Sequence, residues 1–305
     1  MTLRLSRKGQ NLNKGRHPHL RKVLSKQRLF RYLYCNLNFR APTEFRVDAP
    51  SIEILFVVSG KDIDLLPLAI SGALDSTQFH SVRSLTLICP RIDIREMKKI
   101  ADSIDYPIKV VAEDEIIEGK HSTRLAEIFG GRSGWVLQQL LKIYYVADSE
   151  AKGVLIVDAD TILLRNRVWI DFEMSQVLMP TWERHTPYYE FLKRNSFQCQ
   201  DETVSHISHH MLFQPVIVRE MLRRYSLVNV SSTVDLLTLF KGFGNSPFSI
   251  DYEMYAQYLL AEYPGLIRYE KWANYSVNNI STVNLEDERW KKRFSSISAH
   301  AYNLR

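Results

Sequence analysis

The sequence lacks the features that mark disulfide-stabilised, zinc-binding or membrane-spanning chains. Its 305 residues include three scattered cysteines, Cys35, Cys89 and Cys199, without C-x-x-C spacing. This argues against a disulfide framework or a zinc site and predicts a reducing, cytoplasmic environment. No stretch approaches the roughly 18 apolar residues of a membrane span, and no signal-peptide core lies near the N-terminus. We therefore expect neither a membrane-spanning helix nor export.

Acidic residues are scarce at the start of the chain. Residues 1–50 contain 12 Lys and Arg against Glu44 and Asp48, which gives a net charge of +10. The other 255 residues contain 28 Lys and Arg against 32 Asp and Glu, which gives a net charge of −4. We expect residues 1–19 to be disordered, because they are polar and show little apolar periodicity. Residues 20–39 predict a basic amphipathic helix. Such a helix suits an anionic membrane surface, a partner or its own domain, and no nucleic-acid recognition module follows it.

Strands and helices alternate after residue 50, without internal repeats. This alternation predicts an α/β fold with a mixed, mainly parallel sheet flanked by helices, in one domain over residues 51–305 that follows a basic extension. Ligands of such sheets bind beyond the carboxyl ends of the strands. The expected strands are 52–59, 82–89, 107–112, 154–157 and 176–179, and the expected helices are 63–74, 94–104 and 135–147.

Two aspartates follow the most apolar of these strands. Asp158 and Asp160 come directly after four apolar residues, and alternate residues of an extended chain face the same way. Paired carboxylates suit Mg²⁺ or Mn²⁺, which also takes phosphate oxygens of a substrate. Asp62 and Asp64 have the same spacing after the first strand, so the triplet alone is weak evidence. The alternative for Asp158 and Asp160 is a pair of solvated turn residues.

The helix before these aspartates is almost wholly apolar. Its polar exceptions include Gln138 and Lys142, which are four residues apart and share a face. We expect both to bind the cofactor or substrate, with Lys142 reaching a phosphate or ribose. The alternative for Lys142 is a side chain that extends to solvent.

Three further segments carry candidate residues. The aromatic and polar segment at residues 182–189 suits either a sugar-binding groove or a packed surface loop. Three histidines lie within five residues, but their spacing is not that of a zinc helix or finger; we expect one of them to line the site and choose His210. An acidic helix start supplies Asp251 and Glu253, which point about 200° apart, so only one can face the site. The alternative there is ordinary helix capping. The aromatic segment contains Trp182, Glu183, His185, Tyr188 and Tyr189.

Taken in order, these pieces resemble the GT-A class of nucleotide-sugar glycosyltransferases, most closely little-characterised bacterial members that serve surface polysaccharide assembly. The ordered set is more specific than any one of its motifs. It comprises Asp62 and Asp64, the Trp135-x-x-Gln138-Gln139-x-x-Lys142 helix, Asp158-Ala159-Asp160, the strand at 210–213, Asp251 with Glu253, and His300.

The resemblance implies a role for each residue. Asp160 would bind Mn²⁺ or Mg²⁺ directly, Asp158 would bind it through water or hold the ribose, and His300 would be a third ligand. Lys142 would assist electrostatically. Asp62 or Asp64 would contact the base or ribose of a UDP- or GDP-sugar. Asp251 or Glu253 would be the general base of an inverting enzyme. The acceptor would be a glycan or a lipid-linked hydroxyl.

Two competing interpretations stay open. A haloacid-dehalogenase-type phosphatase also has a strand followed by D-x-D, but Ile162 occupies the position where that motif has Thr. A non-catalytic protein of the same fold could bind a glycan or partner. Without a Golgi-type anchor, the transferase interpretation favours a bacterial or viral enzyme of the cytoplasm, in peripheral contact with the inner face of the membrane through residues 1–40.

Overall fold

The structure is a computed structural model that describes residues 26–38, 49–240, 247–280, 283–285 and 287–299. Its strands are β1 (Ala49–Val57), β2 (His80–Cys89), β3 (Ile108–Ala112), β4 (Val154–Val157), β5 (Thr161–Leu163), β6 (Gln176–Leu178), β7 (His210–Phe213), β8 (Ile267–Tyr269), β9 (Asn274–Val277) and β10 (Ser296–Ala299). Its α-helices are α1 (Lys26–Asn38), α2 (Leu66–Ser76), α3 (Ile94–Asp102), α4 (Glu113–Ile116), α5 (Gly119–Phe129), α6 (Ser133–Asp148), α7 (Thr186–Arg194), α8 (Pro215–Arg224), α9 (Val230–Thr238), α10 (Tyr252–Glu262) and α11 (Glu288–Arg293).

The central sheet has five strands in the order β3-β2-β1-β4-β7. The first four are parallel, and β7 runs antiparallel to β4. Side chains of β1 alternate between two apolar cores: Leu55 and Val57 pack on the side of α6, and Ile54 and Phe56 pack on the side of α2. The period of two and the β-branched composition explain why this segment forms a strand covered on both faces. The predicted fold class is confirmed.

The carboxyl ends of β1 and β4 lie at the same edge of the sheet, because Ile54 pairs with Leu155 in parallel register. A 3-10 turn, Gly60–Leu65, follows β1, and the turn that contains Asp158 and Asp160 follows β4. The two aspartate triplets therefore leave the sheet side by side. This edge is where ligands of parallel sheets bind.

A three-stranded sheet brings the end of the described chain to this edge. Its order is β5-β10-β9, and β10 is antiparallel to β5. The backbone N–H of Ala299 donates to the carbonyl of Asp160 at 2.9 Å. The strand β10 therefore ends beside Asp160, while His300 lies outside the described residues.

One predicted helix begins later than expected. The periodicity predicts a helix over residues 63–74, whereas the α-helix runs Leu66–Ser76 after the 3-10 turn. Pro67 occupies its first turn, where the missing N–H costs no hydrogen bond, and this explains the start. Within the described ranges, no helix combines the length and apolar character that crossing a bilayer requires.

Candidate active site

A pocket opens at the carboxyl edge of β1 and β4. Both aspartates of the second triplet lie in its floor, and α6 and the start of α10 form one wall. The segment after β6 forms the opposite wall. The lining residues are Val57, Lys61, Asp62, Trp135, Gln138, Gln139, Lys142, Asp158, Ala159, Asp160, Glu183, His185, Tyr188, Ser205, Ile207, His209, Ser249, Asp251 and Tyr252.

A buried lysine joins two aspartates in the wall of this pocket. Lys142 Nζ lies 2.8 Å from Asp158 Oδ1 and 3.3 Å from Asp251 Oδ2. Burial alone would lower the pKa of Lys142, but the two carboxylates outweigh it and raise the pKa. The lysine is therefore a fixed cation inside the pocket wall, and the alternative in which its side chain extends to solvent is excluded.

Asp158 accepts contacts on both carboxylate oxygens. Oδ1 receives Lys142 and the Tyr252 hydroxyl, each at 2.8 Å, and Oδ2 lies 3.5 Å from Nδ1 of His209. Burial would raise the pKa of Asp158, but Lys142 and His209 hold it well below its usual range. These contacts keep the carboxylate ionised and fix its direction.

Tyr252 was missed by the sequence reasoning, although it lies between two residues that were chosen. Its ring is buried, and Lys142 Nζ lies 4.4 Å from the ring centroid. Burial and the nearby Asp158 raise the pKa of Tyr252 well above its ordinary value, so the hydroxyl stays protonated and donates. No sequence pattern marks this tyrosine, because only the tertiary contact with Asp158 reveals it.

The structure places His209 in the pocket instead of His210, the histidine chosen from the sequence. His210 faces the core, where its ring packs edge-on against Trp169 at 5.6 Å, and burial lowers its pKa to about 3. His209 lines the pocket instead, with a left-handed φ of 66°. Burial would lower the pKa of His209, but Asp158, Asp160 and Glu183 raise it. Antiparallel pairing of His210 with Val157 directs alternate side chains to opposite faces, and this decides which histidine reaches the site.

Of the acidic pair, Asp251 lines the pocket and Glu253 does not. Glu253 is fully buried and accepts hydrogen bonds from Ser205 Oγ at 3.1 Å, the His206 backbone N–H at 2.9 Å and Gln257 Nε2 at 2.9 Å. The structure therefore places this candidate base outside the pocket, where its oxygens fasten α10 to the segment that carries Ser205 and His209. Asp251 precedes α10 and accepts from Ser249 Oγ at 2.8 Å.

The two aspartates of the first triplet, Asp62 and Asp64, lie in different environments. Asp62 is buried in the pocket and accepts from Ser59 Oγ at 2.8 Å, and burial raises its pKa. Asp64 is exposed and does not line the pocket, so the structure separates it from the other predicted cofactor-binding residues. The 3-10 turn directs the two side chains apart, since residues two apart share a face only on an extended chain.

The side chain of Gln139 holds the loop before α10. Its Oε1 accepts from the backbone N–H of Ile250 at 2.8 Å, and its Nε2 donates to the carbonyl of Phe248 at 3.5 Å. Gln138, the neighbouring residue, lines the pocket as expected from the face that it shares with Lys142. Both glutamines of α6 therefore line the pocket, and Gln139 also holds the loop before α10.

The aromatic segment splits between pocket and core. Glu183, His185 and Tyr188 line the pocket, and the rings of His185 and Tyr188 lie 5.2 Å apart. Trp182 and Tyr189 are buried. The segment is therefore partly a pocket wall and partly a packed support for it.

Comparison with protein families identifies one family for this chain. One family model, described as a family of unknown function (DUF6492), matches residues 74–289. The chain belongs to the DUF6492 family. That span of the DUF6492 chain contains Lys142, both pocket aspartates of the second triplet and Asp251. No curated protein sequence matches the chain significantly.

Solved structures similar to this DUF6492 protein are glycosyltransferases. The mannosyltransferase Ktr4p from S. cerevisiae has a TM-score of 0.50 at 10% identity, over 82% of this chain and 78% of that chain. Galactosyltransferase LgtC has a TM-score of 0.47 at 9% identity, over 81% and 86%. Mouse xyloside xylosyltransferase 1 has a TM-score of 0.45 at 12% identity, over 83% and 98%. The similarity to Ktr4p shows that the fold is of the GT-A type.

The pocket of this DUF6492 protein has the donor chemistry of a divalent-cation site. Among the residues that the structure describes, no three His, Cys, Asp or Glu side chains converge on one point. Asp158 and Asp160 supply oxygen donors, and Mg²⁺ in proteins often takes one or two carboxylates and completes its shell with phosphate oxygens and water. The residues present therefore fit a cation that arrives with a diphosphate.

Proposed function

We propose that this protein is a metal-dependent glycosyltransferase that moves a sugar from a UDP- or GDP-linked donor to a hydroxyl of a glycan or lipid-linked acceptor. The observation that carries the proposal is the Asp158-Ala159-Asp160 turn in the floor of a pocket on a GT-A-type fold. Residues 51–305 would form the transferase domain, and the reaction would serve polysaccharide assembly at the inner face of a bacterial membrane.

Charge explains how the floor of the pocket would hold the donor. Counted as formal charges, Lys142 contributes one positive charge, and Asp158, Asp160 and Asp251 contribute three negative charges. This excess suits a divalent cation, Mn²⁺ or Mg²⁺, bound by Asp160 with Asp158 beside it. When bound, that cation acts as a Lewis acid that neutralises charge on the leaving nucleotide. His300 would complete the ligand set, since its neighbour Ala299 hydrogen-bonds to Asp160.

The remaining residues would orient the substrates. Tyr252 and Lys142 fix the direction of Asp158, and Asp62, after β1, would accept hydrogen bonds from the ribose or base. Gln138 would contact the donor from α6. Asp251 is the candidate base of an inverting reaction, although its contact with Lys142 would have to loosen before it accepted a proton.

The opposite wall suits the acceptor. Glu183 offers a carboxylate, and the rings of His185 and Tyr188 provide flat apolar surface, the combination that binds a sugar by hydrogen bonds and packing. This supports a carbohydrate acceptor over a small alcohol.

The phosphatase alternative would need Asp158 as the nucleophile. Lys142, Tyr252 and His209 contact both of its oxygens, and these contacts lower the pKa and nucleophilicity of the carboxylate. These contacts favour the transferase over the phosphatase.

The first prediction tests the cation and nucleotide site by thermal shift. We expect Mn²⁺ with UDP or GDP to raise the Tm of the wild-type protein by a few degrees, because a ligand at 100 times its Kd stabilises by about 2.7 kcal/mol. Asp160→Asn should lose this shift. Asp64→Asn is the matched control, since Asp64 is the exposed second aspartate of the other triplet with the same spacing, and it should keep the shift.

A wild-type protein that shows no shift with either nucleotide, or an Asp160→Asn variant that shifts like wild type, would refute the proposal. If the shift is observed, hydrolysis of UDP- and GDP-sugars with Mn²⁺ and without an acceptor identifies the donor. The same Asp160→Asn and Asp64→Asn pair should separate again in that assay.

A further inference from the structure

Helix α1 presents two different faces. Arg31, Tyr34 and Cys35 lie at spacings of three and four residues and face the body of the protein, where Cys35 is 2% exposed. The opposite face holds Leu29, Phe30 and Leu33, which are 46%, 61% and 44% exposed. The helix is therefore anchored on one side and apolar on the other.

An outward apolar face needs an explanation because single exposed apolar residues are common but a helical stripe of them is not. Leu29, Phe30 and Leu33 share one face with Lys26, at the spacing of successive helical turns. Their burial elsewhere would be favourable, since each large apolar side chain gains from leaving water. The three side chains therefore form a continuous apolar stripe rather than scattered exposure.

Charge identifies what docks on it. The first 43 residues of the chain contain no Asp or Glu, and α1 carries Lys26 on its apolar face and a second exposed cation, Arg28. A second copy of the chain would bring two such basic segments together, which like-charge repulsion disfavours. An anionic lipid surface accepts apolar side chains below its headgroups and attracts basic residues around them.

Helix α1 packs against the segment that forms the acceptor wall of the pocket. The ring of Tyr32 on α1 packs edge-on against Trp182, with centroids 6.3 Å apart, and Trp182 precedes the pocket residue Glu183. Arg31 is close enough to Arg184 and Tyr189 for its charge to interact with both. A membrane bound by α1 would therefore adjoin the wall that we assign to the acceptor.

We propose that the outward face of α1, formed by Leu29, Phe30 and Leu33, docks on an anionic bilayer and brings the pocket to a lipid-linked acceptor. The docking itself does not depend on the transferase activity. The acceptor class does rest on the proposed function, because it assumes that the 183–188 wall receives the acceptor.

Vesicle flotation of the full chain tests the docking. Vesicles of phosphatidylcholine alone are compared with vesicles that contain about a third phosphatidylglycerol, at low and high salt. We expect the wild-type protein to float with the anionic vesicles, with partitioning weakened by salt. The triple variant Leu29→Ser, Phe30→Ser, Leu33→Ser should partition at least tenfold less, and an unchanged Tm would show that it folds.

The control replaces exposed apolar residues elsewhere. Ile92 is 89% exposed and Phe172 is 63% exposed, so Ile92→Ser with Phe172→Ser removes comparable apolar surface far from α1 in the sequence. It should float like wild type. Equal partitioning of the triple variant and wild type, absence of wild-type flotation, or a wild-type dimer that the triple variant turns into a monomer would each overturn the proposal.

Two separate measurements distinguish a failure of membrane docking from a failure of the proposed function. The thermal shift with Mn²⁺ and nucleotide is measured in solution without vesicles, and the triple variant should retain it. Loss of flotation with a retained shift supports a separate docking surface. A missing shift in the wild-type protein would overturn the acceptor class but leave the bilayer contact standing.

Discussion

At the residue scale, a buried lysine is the most consequential side chain of the pocket. Lys142 is 7% exposed and pairs with Asp158 and Asp251, which come from segments far apart in the sequence. A buried charge is tolerated only when its partners remain, because their attraction offsets the free energy lost when the charge leaves water. The same contact thus serves the fold and the charge balance of the pocket.

The second prediction follows from this pairing. Lys142→Met should lower the free energy of unfolding by about 3 kcal/mol, because it leaves two pocket carboxylates without their cation. Urea denaturation measures the change. Lys152→Met is the matched control, since Lys152 is exposed, and it should change stability by less than about 0.5 kcal/mol. Equal stability of the two variants would contradict the pairing.

A neutral buried histidine makes the fold sensitive to acid. Burial lowers the pKa of His210 to about 3, and within the described residues neither ring nitrogen has a hydrogen-bond partner. The unfolded chain has the ordinary histidine pKa of about 6.5. Between these values the unfolded state binds more protons than the folded state, so stability falls as the pH is lowered below about 6.5.

The third prediction is that His210→Leu reduces this acid sensitivity. Each bound proton contributes up to about 1.4 kcal/mol per pH unit, so from pH 6.5 to 5 the variant should gain about 2 kcal/mol relative to wild type. Urea denaturation at several pH values measures the difference. His121→Leu, which removes a partly exposed histidine of α5, should leave the slope unchanged. A parallel pH dependence of wild type and His210→Leu would refute the assignment.

At the element scale, the pocket depends on how closely helices approach the strands that end beneath it. Gly72 of α2 lies directly against β5, where a Cβ would come within 2.6 Å of the carbonyl oxygen of Leu163. Because that oxygen belongs to the backbone, it cannot move aside as a side chain could. β5 follows the turn that carries Asp158 and Asp160, so this contact supports the floor of the pocket.

The fourth prediction compares two glycines in helices. Gly72→Ala should lower the free energy of unfolding by about 1–3 kcal/mol, as overpacking does, since α2 must shift away from β5. Gly134→Ala lies in α6, where nothing stands within 4 Å of the added Cβ, and it should be neutral or slightly stabilising. Thermal or urea denaturation of both variants measures the contrast. A Gly72→Ala variant as stable as Gly134→Ala would show that the contact is loose.

Glu253 links helix α10 to a neighbouring segment. Its position near the start of α10 predicts a catalytic base, but its carboxylate joins α10 to the backbone of His206 and to Ser205. This link holds the segment that ends at His209 against the pocket. A residue without access to the pocket can therefore set the position of one that lines it.

At the scale of the whole molecule, charge is divided between two regions. The basic surplus belongs to residues 1–50, and the rest of the chain is slightly acidic. The described part of the basic region, α1, lies beside the wall that contains Glu183 rather than beside the aspartates. This separation keeps a basic docking surface apart from a site that we expect to bind a cation.

The pocket itself is a property of the whole chain. Its lining comes from the end of β1, from α6, from the turn after β4, from the 183–188 segment and from the start of α10. The parallel register of β1 and β4 and the antiparallel return of β7 bring these segments to one edge. Long-range sheet pairing, which no local window contains, therefore builds the site.

The sequence by itself determined the α/β alternation, the strand at residues 154–157, the polar face of α6 and the position of Asp158 and Asp160 directly after a strand. These features depend on local periodicity and on the order of elements, which a chain displays without folding. Only the tertiary structure decided that His209 and not His210 reaches the pocket, that Asp62 and not Asp64 lies in it, and that Glu253 fastens α10 while Tyr252 contacts Asp158. The reason is that side-chain direction depends on strand register, on the turn after β1 and on partners distant in sequence, and a one-residue difference reverses the face on which a side chain lies.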